Sequence, residues 1–187
     1  MRPSSPQMMS LARRIGPLPA IGFLACAALA AALLEPVPAP LTGSARAVDG
    51  DTIRLGDTRV RLLGIDAPEL AQFCSDQNEV QWSCGARARD IMSSLLAGGS
   101  TACKPSGHDK YGRVLAHCGA GDEDIGAAMV GAGLAISDGE YGAEEAAARA
   151  AKAGIWSGQF EVPRSWRDEQ NRAGEPNLFD WLRGWFR

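Results

Sequence analysis

The sequence has few histidines, no closely spaced pair of cysteines and no surplus of basic side chains. Two histidines, His108 and His117, occur among 187 residues. The first lies in a polar loop and the second beside a cysteine, so we expect neither to act as a catalytic base. The lack of CxxC pairs argues against a structural zinc site. No segment is repeated, which excludes a solenoid.

Acidic side chains outnumber basic ones, with 22 Asp and Glu against 19 Lys and Arg. The imbalance is larger beyond residue 47, because the first 47 residues hold four arginines and one glutamate. Proteins that hold nucleic acid by general electrostatic attraction are basic. A nucleic-acid function of this chain would therefore have to depend on a local site.

The beginning of the chain predicts export. Arg13 and Arg14 precede an uncharged run from Ile15 to Leu34, and small residues follow, an order typical of a secretory signal peptide. The run is about 20 residues long, enough to span a bilayer if it is not cleaved. A buried core helix is a third interpretation. We predict that residues 1–34 are a signal peptide or a membrane anchor and that the protein is secreted or periplasmic.

Cysteine usage agrees with export. Apart from Cys26 in the apolar run, the chain has four cysteines: Cys74, Cys84, Cys103 and Cys118. An even number in an exported domain favours disulfides, and four cysteines allow three connectivities. Cys74 and Cys84 close a short loop, and the other two lie in segments that could face each other across a sheet. We therefore favour the pairs 74–84 and 103–118.

Hydrophobic periodicity predicts one α+β domain at residues 44–167. A strand–turn–strand pattern occurs at 44–55, single strand patterns at 58–65, 100–104 and 113–118, and helix patterns at 85–96, 124–132 and 141–153. This order favours a five-stranded OB-type β-barrel with about three helices. A proline-rich linker at residues 35–43 would join the domain to the N-terminal helix.

The end of the chain, residues 168–187, is rich in tryptophan. Leu178, Trp181, Leu182 and Trp185 would share one face of a helix. That face would either pack on the domain or lie on a membrane surface. Membrane association through residues 15–34 and 178–187 is therefore one of the predictions.

Four segments carry the residues of interest: VDGDTIRL at 48–55, VRLLGIDAPE at 60–69, DKYGR at 109–113, and GIWSGQF with PRSWR within 154–167. The first three resemble, in the same order, the signature segments of the staphylococcal-nuclease-like (thermonuclease) family. The resemblance covers residues 47–167. Each motif by itself is ordinary, since a DGDT sequence is most often only a turn. Their occurrence together favours a site.

Two aspartates are candidate metal ligands. Asp51 and Asp66 each end a predicted strand, so a sheet could bring both carboxylates to one ion. Hard carboxylate oxygens favour Ca²⁺ or Mg²⁺. The resemblance implies that both aspartates bind Ca²⁺, with the backbone carbonyl of Ala67 as a third ligand. The family often has threonine at that position, a difference that leaves a carbonyl ligand unaffected.

The resemblance also implies catalytic roles. Glu69 would activate or orient the attacking water. Arg61 and Arg113 would bind phosphate oxygens, for which a planar, permanently charged guanidinium is suited. Lys110 and Tyr111 would contact the substrate.

These features predict an exported, Ca²⁺-dependent and monomeric nuclease that hydrolyses DNA or RNA, preferably single-stranded, and leaves 3′-phosphorylated products as the family does. The loop after Glu69 is acidic and does not resemble the flexible, lysine-rich loop of the best-known member, so strength of substrate binding does not follow from the resemblance. Two alternatives stay open. One is a non-catalytic OB-fold module that binds nucleic acid or oligosaccharide, and the other is an envelope protein linked to polysaccharide export.

Overall fold

A computed structural model describes residues 21–24, 26–27 and 38–174. Most of the predicted leader lies outside the described residues, as does the predicted apolar face at 178–187. Residues 21–24 and 26–27 are helical. Within the described ranges no helix is long and apolar enough to cross a membrane. The chain divides into two units, Met1–Val37 and Pro38–Arg187, and the second carries the elements that follow.

The described part of that unit is built on a curled sheet. Its strands are β1 (Leu41–Gly43), β2 (Ala45–Ala47), β3 (Thr52–Leu55), β4 (Thr58–Leu62), β5 (Ile65–Asp66), β6 (Cys74–Ser75), β7 (Gln81–Trp82), β8 (Thr101–His108), β9 (Val114–Ala120), β10 (Glu123–Asp124) and β11 (Ile136–Ser137). Seven of them form the main sheet in the order β1-β8-β9-β4-β3-β2, with β10 paired to β9. Strands β4 and β9 run parallel, whereas the other pairs in this sheet are antiparallel.

Helices cover the sheet. They are α1 (Cys84–Leu96), α2 (Ile125–Gly131), α3 (Gly142–Ala150) and α4 (Pro163–Gly174), with a short 3₁₀ helix at Gly154–Ser157. The α+β class and the OB-type sheet agree with the prediction. The predicted five strands and three helices were too few, because two- and three-residue strands have no periodicity to detect. Helix α4 also runs across residue 167, where we expected the domain to end.

The β3–β4 hairpin shows how the sequence orients the side chains. The turn at Gly56 has a φ of 59°, a conformation that glycine adopts without strain. On β4, Val60 and Leu62 are buried, with 0% and 2% exposure. Because side chains alternate across a strand, Arg61 lies on the opposite face from these two. The hairpin thereby buries its apolar residues and turns an arginine toward the candidate site.

The core lies between this sheet and the helices. Helix α1 contributes Ala88, Met92 and Leu96, spaced to share one face, and they pack against the same cluster as Ile53 and Met129. Full burial of a Leu, Ile or Met side chain stabilises a fold by roughly 1.5–3 kcal/mol. The core thus fixes the strands whose ends carry the charged residues.

The structure joins Cys74 to Cys84 and Cys103 to Cys118, the pairing that we favoured from the sequence. The first disulfide ties the β6–β7 hairpin to the start of α1. The second links residues that stand directly opposite each other on β8 and β9. One bridge therefore anchors a loop region, and the other reinforces the sheet.

Candidate active site

Asp51 is placed by a tight turn at the end of β2. The carboxylate of Asp49 accepts hydrogen bonds from the backbone N–H groups of Asp51 at 3.0 Å and Thr52 at 2.7 Å. This is the local side-chain bonding that aspartate makes in turns. Gly50 is buried within the turn, where an added Cβ would lie 2.6 Å from the Cβ of Ala67. Glycine allows the turn to approach the chain just beyond Asp66.

Two buried carboxylates share one guanidinium. Arg61 donates from Nη1 to Asp51 Oδ1 at 2.7 Å and from Nη2 to Asp66 Oδ1 at 3.0 Å. Asp51 and Asp66 are 4% and 8% exposed. The register of the sheet explains the meeting, because Arg61 pairs with Thr52, the residue after Asp51. Asp66 arrives from β5, four residues after β4 has ended.

Burial changes the acidity of Asp51. It raises the pKa of Asp51 from 3.8 to about 7, although the positive charge of Arg61 opposes the shift. A buried carboxylate that is not fully compensated retains its proton more readily. Additional positive charge beside Asp51 would favour the ionised form.

Glu69 lies three residues beyond Asp66, at the start of a turn. Its backbone N–H donates to Gln72 Oε1 at 3.2 Å, and its carbonyl accepts from the N–H of Gln72 at 2.7 Å. Gly85 at the start of α1 packs so closely that a Cβ there would overlap the Glu69 carbonyl. These contacts hold the backbone of Glu69 and leave its side chain 30% exposed.

Arg167 is a site residue that sequence reasoning missed. From α4 it donates to Asp66 Oδ1 at 3.0 Å, to Asp66 Oδ2 at 3.1 Å and to Glu69 Oε1 at 2.8 Å. The available signal was the PRSWR segment, which stood out in the sequence without an assigned role. Nothing in a linear pattern places a residue beside a carboxylate about a hundred positions earlier.

The DKYGR loop brings Arg113 to the same region. Asp109 accepts from Arg113 Nε at 2.6 Å, and Arg113 Nη1 donates to Thr52 Oγ1 at 3.3 Å. Partial burial would raise the pKa of Asp109, but its hydrogen bonds from Arg113 and from the N–H of Tyr111 lower it overall. Arg113 is therefore oriented at both ends, by an ionised carboxylate and by a residue of β3.

Two adjoining clefts open onto these residues, with volumes of about 510 and 480 Å³. They share five lining residues: Glu69, Tyr111, Arg113, Arg167 and Asn171. Tyr111 is 72% exposed, and Lys110 lies with its Nζ 4.9 Å from the centre of that ring. Lys110 and Arg61 line the second cleft. The residues that line the two clefts include six basic and four acidic side chains, whereas acidic residues are the more numerous in the whole chain.

The structure therefore brings the predicted site residues together. Asp51, Arg61 and Asp66 form one cluster, and Glu69 and Arg113 face the clefts beside it. The contact of Ala67 is through its N–H, which donates to Asp51 Oδ2 at 3.3 Å. The proposed ligation by its carbonyl stays a prediction.

The donor chemistry can be compared with the expected cation. In the part of the chain that the structure describes, no group of three or more His, Cys, Asp or Glu is arranged to hold a metal ion. The two aspartates nevertheless converge on a single positive group, the guanidinium of Arg61. Carboxylate and carbonyl oxygens are the ligands that Ca²⁺ takes in proteins. The donors fit a hard cation in kind, and other ligands would have to come from the backbone, water or substrate.

Comparison with known proteins identifies the family. A model described as "Staphylococcal nuclease homologue" matches residues 59–158. The chain belongs to that family. The succinoglycan biosynthesis protein ExoI of Rhizobium meliloti is 34% identical over 129 residues, which cover 65% of this chain and 68% of that protein. An uncharacterized endonuclease of Escherichia coli is 35% identical over 129 residues, or 63% and 78% of the two chains.

A fungal relative is more distant. The probable endonuclease LCL3 of Pyricularia oryzae is 29% identical over 151 residues, covering 71% of this chain and 55% of that protein. The family assignment confirms the resemblance and supports the predicted enzyme class, a nuclease-type hydrolase. Ca²⁺ dependence, export, membrane association and oligomeric state stay predictions.

Proposed function

We propose that this protein is a Ca²⁺-dependent nuclease that hydrolyses phosphodiester bonds of DNA or RNA. One observation carries the proposal: two buried carboxylates, Asp51 and Asp66, converge on Arg61 at the edge of clefts that also expose Glu69 and Arg113. Hydrolysis of a phosphodiester needs a positioned water, a proton acceptor and donors for the extra negative charge on phosphorus. Residues of each kind face this region.

Each residue has a distinct task in this mechanism. Asp51 and Asp66, with the Ala67 carbonyl, would hold the cation, which supplies positive charge to the phosphate and its attacking water. Glu69 accepts the proton of that water as the P–O bond forms. Arg61 and Arg113 donate to phosphate oxygens and stabilise the charge that develops there. The bond to the 5′ oxygen then breaks and that oxygen takes up a proton from solvent water, which leaves a 3′-phosphate and a 5′-hydroxyl.

An exposed aromatic ring in the clefts favours a single strand. Side chains of α4 line both clefts, and Tyr111, which is 72% exposed, lines both of them as well. An aromatic ring beside basic side chains is a common arrangement for unpaired nucleotides, because bases stack and phosphates pair with cations. Lys110 would support the phosphate next to Tyr111.

The two disulfides support an extracytoplasmic location, because disulfides persist where the environment is oxidising. We propose that the protein acts in the periplasm or after secretion. Intact-mass measurement of protein recovered from cells would show whether residues 1–34 are removed and whether both disulfides are present.

Digestion of single-stranded DNA tests the function. Purified protein is assayed with Ca²⁺ and with a chelator, beside the Glu69→Ala variant. We expect cutting by the wild type with Ca²⁺, and loss of cutting with the chelator or with the variant. Equal activity in all three conditions would overturn the proposal.

A second function is favoured by one relative. The protein of Rhizobium meliloti that is 34% identical carries a name from succinoglycan biosynthesis. A role of this chain in polysaccharide assembly is therefore the alternative to nucleic-acid degradation. Deletion of the gene, with exported polysaccharide and nuclease activity measured in the same cells, separates the two: loss of polysaccharide with unchanged nuclease activity would favour the alternative.

A further inference from the structure

Arg167 contacts the candidate active site from a distant part of the chain. It lies 101 residues after Asp66 and 98 after Glu69, and it is the only residue of α4 that bonds to either carboxylate among the described residues. Both terminal nitrogens of its guanidinium, Nη1 and Nη2, engage Asp66, and Nη1 also engages Glu69. A planar guanidinium suits this arrangement, because its donors are held in a rigid fork.

The two carboxylate oxygens of Glu69 differ in their hydrogen bonds. Oε1 accepts from Arg167 at 2.8 Å. In the part of the chain that the structure describes, Oε2 accepts no hydrogen bond. One oxygen of the carboxylate is therefore held in place while the other is available to a water molecule. A carboxylate that must accept a proton from water benefits from this orientation, since a base has to lie within hydrogen-bond reach of the proton it removes.

Arg167 also offsets part of the negative charge of the carboxylate cluster. Asp51, Asp66 and Glu69 lie together with two guanidinium groups, those of Arg61 and Arg167. Without Arg167, Glu69 would have no cationic partner among the described residues. Asp66 would retain Arg61 alone. Two neighbouring carboxylates that are not separated by a positive group repel each other.

The position of α4 is set by contacts of the segment that precedes its N-terminus. The side chain of Gln72 is fully buried and donates to the carbonyl of Glu161 at 2.6 Å, while its Oε1 accepts from the N–H of Glu69. A two-way backbone pairing between Ser75 and Gln159 fixes the preceding segment, at 2.8 and 3.1 Å. The same buried glutamine thus connects the Glu69 turn to the chain that enters the helix.

We propose that Arg167 is a positioning residue of the active site. It holds Glu69 by Oε1 so that Oε2 faces the attacking water, and its bonds to Asp66 anchor the guanidinium in that position. Helix α4 then contributes to catalysis through Arg167, in addition to lining the clefts. The inference rests on the proposed nuclease function and adds a residue that the family resemblance did not supply.

Replacement of Arg167 tests the proposal. For Arg167→Gln on single-stranded DNA we expect kcat to fall on the order of 10²-fold, because displacement of a catalytic group by about 1 Å has effects of that size. KM should change much less than kcat. Arg167→Lys should recover part of the loss, since an ammonium keeps the charge and lacks the fork that engages both carboxylates.

Arg172→Gln is the matched control. Arg172 lies on the same helix, and its Nε donates only to the carbonyl of Asp168. Its replacement should leave kcat and KM unchanged. If Arg172→Gln reduced kcat as strongly as Arg167→Gln, the loss would belong to the helix as a whole and the positioning role would be overturned.

Calorimetric titration with Ca²⁺ separates positioning from misfolding. Arg167→Gln should bind Ca²⁺ at least as tightly as the wild type, because Asp66 loses a competing positive group. Weaker binding would mean that the carboxylates had become disordered and would overturn the inference. Cutting by Arg167→Gln at the wild-type rate would overturn this inference alone, whereas absence of cutting by the wild type would overturn the proposed function and this inference with it.

Discussion

The two walls of the cleft are held in place by different means. One wall, the sheet wall, consists of β4 and the loops that carry Asp49, Glu69 and Arg113. It rests on strands whose apolar side chains, such as Ile53 and Val60, are fully buried. The other wall is α4, whose side chains at the cleft are half-buried or exposed. Hydrogen bonds between paired strands fix the position of the first wall. A few side-chain and backbone contacts near residues 69–75 fix the position of the second.

The two walls contribute different kinds of residue: one carries the groups that react, and the other carries a residue that orients them. The sheet wall carries the proposed cation ligands and the phosphate-binding Arg61. The helix wall carries Arg167, which acts on those groups from outside the sheet. We expect changes on the sheet wall to abolish activity, and changes on the helix wall to reduce it while the fold stays intact.

The largest effect should come from the sheet wall. Arg61→Gln removes a donor to the phosphate and the shared partner of Asp51 and Asp66, so kcat/KM on single-stranded DNA should fall on the order of 10²–10³-fold. Arg54→Gln on neighbouring β3 is the control, because Arg54 makes no ion pair among the described residues. Steady-state kinetics of both variants measure this. Similar losses of kcat/KM in Arg61→Gln and Arg54→Gln would contradict the special role of the sheet wall.

The two disulfides should differ in what they affect. Each closes a loop, of 10 residues at Cys74–Cys84 and 15 at Cys103–Cys118, and removal of either should lower the free energy of unfolding by about 3 kcal/mol. Only the first anchors the segment that pairs with Gln159 ahead of α4. Double replacement by alanine should therefore reduce kcat at 74/84 and leave it near the wild-type value at 103/118.

Denaturant titration and kinetics at a temperature where both variants are folded would measure this. Equal kcat values in the two double variants would show that α4 does not depend on the Cys74–Cys84 loop.

A smaller effect is expected at the connection between the walls. Gln72→Leu removes the bonds to Glu69 and to Glu161, and an unpaired buried backbone group costs about 1–3 kcal/mol. The kcat should fall roughly tenfold, because Glu69 and α4 lose their common support. Gln81→Leu, at an exposed position on β7, should change stability by less than about 0.5 kcal/mol. If Gln72→Leu lost stability but kept its activity, the position of α4 relative to Glu69 would not depend on Gln72.

The smallest effect concerns pH. Folded Asp51 keeps its proton to about pH 7, whereas an unfolded aspartate releases it near 3.8. The folded state therefore binds more protons between these values, and the contribution of Asp51 to the free energy of unfolding falls as pH rises through this range. In chelator, the free energy of unfolding of Asp51→Asn relative to that of the wild type should therefore rise between pH 4 and pH 8.

Denaturant titrations of both proteins between pH 4 and pH 8 would show a difference that grows with pH. A constant difference would contradict the raised pKa. Added Ca²⁺ should stabilise only the wild type at pH 8, because the variant lacks one proposed ligand.

Much of the sheet wall could be predicted from the sequence. The segments around Asp51, Arg61 and Asp66 lie within 16 residues of one another, and the alternation of side chains along β4 indicates that Arg61 and the apolar Val60 and Leu62 face opposite ways. The family resemblance then linked this stretch to Glu69 and Arg113. Local pattern and resemblance were sufficient because hairpin pairing keeps sequence neighbours close in space.

The helix wall could not be predicted in the same way. Arg167 reaches Asp66 across 101 residues, and the contact depends on Gln72 and on the pairing of Ser75 with Gln159. We expected the domain to end at 167, in the middle of α4. The apolar pattern of that segment is weak, since most of its side chains are polar, so periodicity did not reveal a helix.

The sequence by itself determined the α+β class, the pairing chemistry of the cysteines and the identities of the charged groups, because these follow from periodicity, residue type and short-range motifs. Tertiary structure alone decided that α4 lines the clefts and that Arg167 holds Glu69. The reason is physical: a hydrogen bond between distant residues depends on the packing of every element between them, and no short segment encodes that sum.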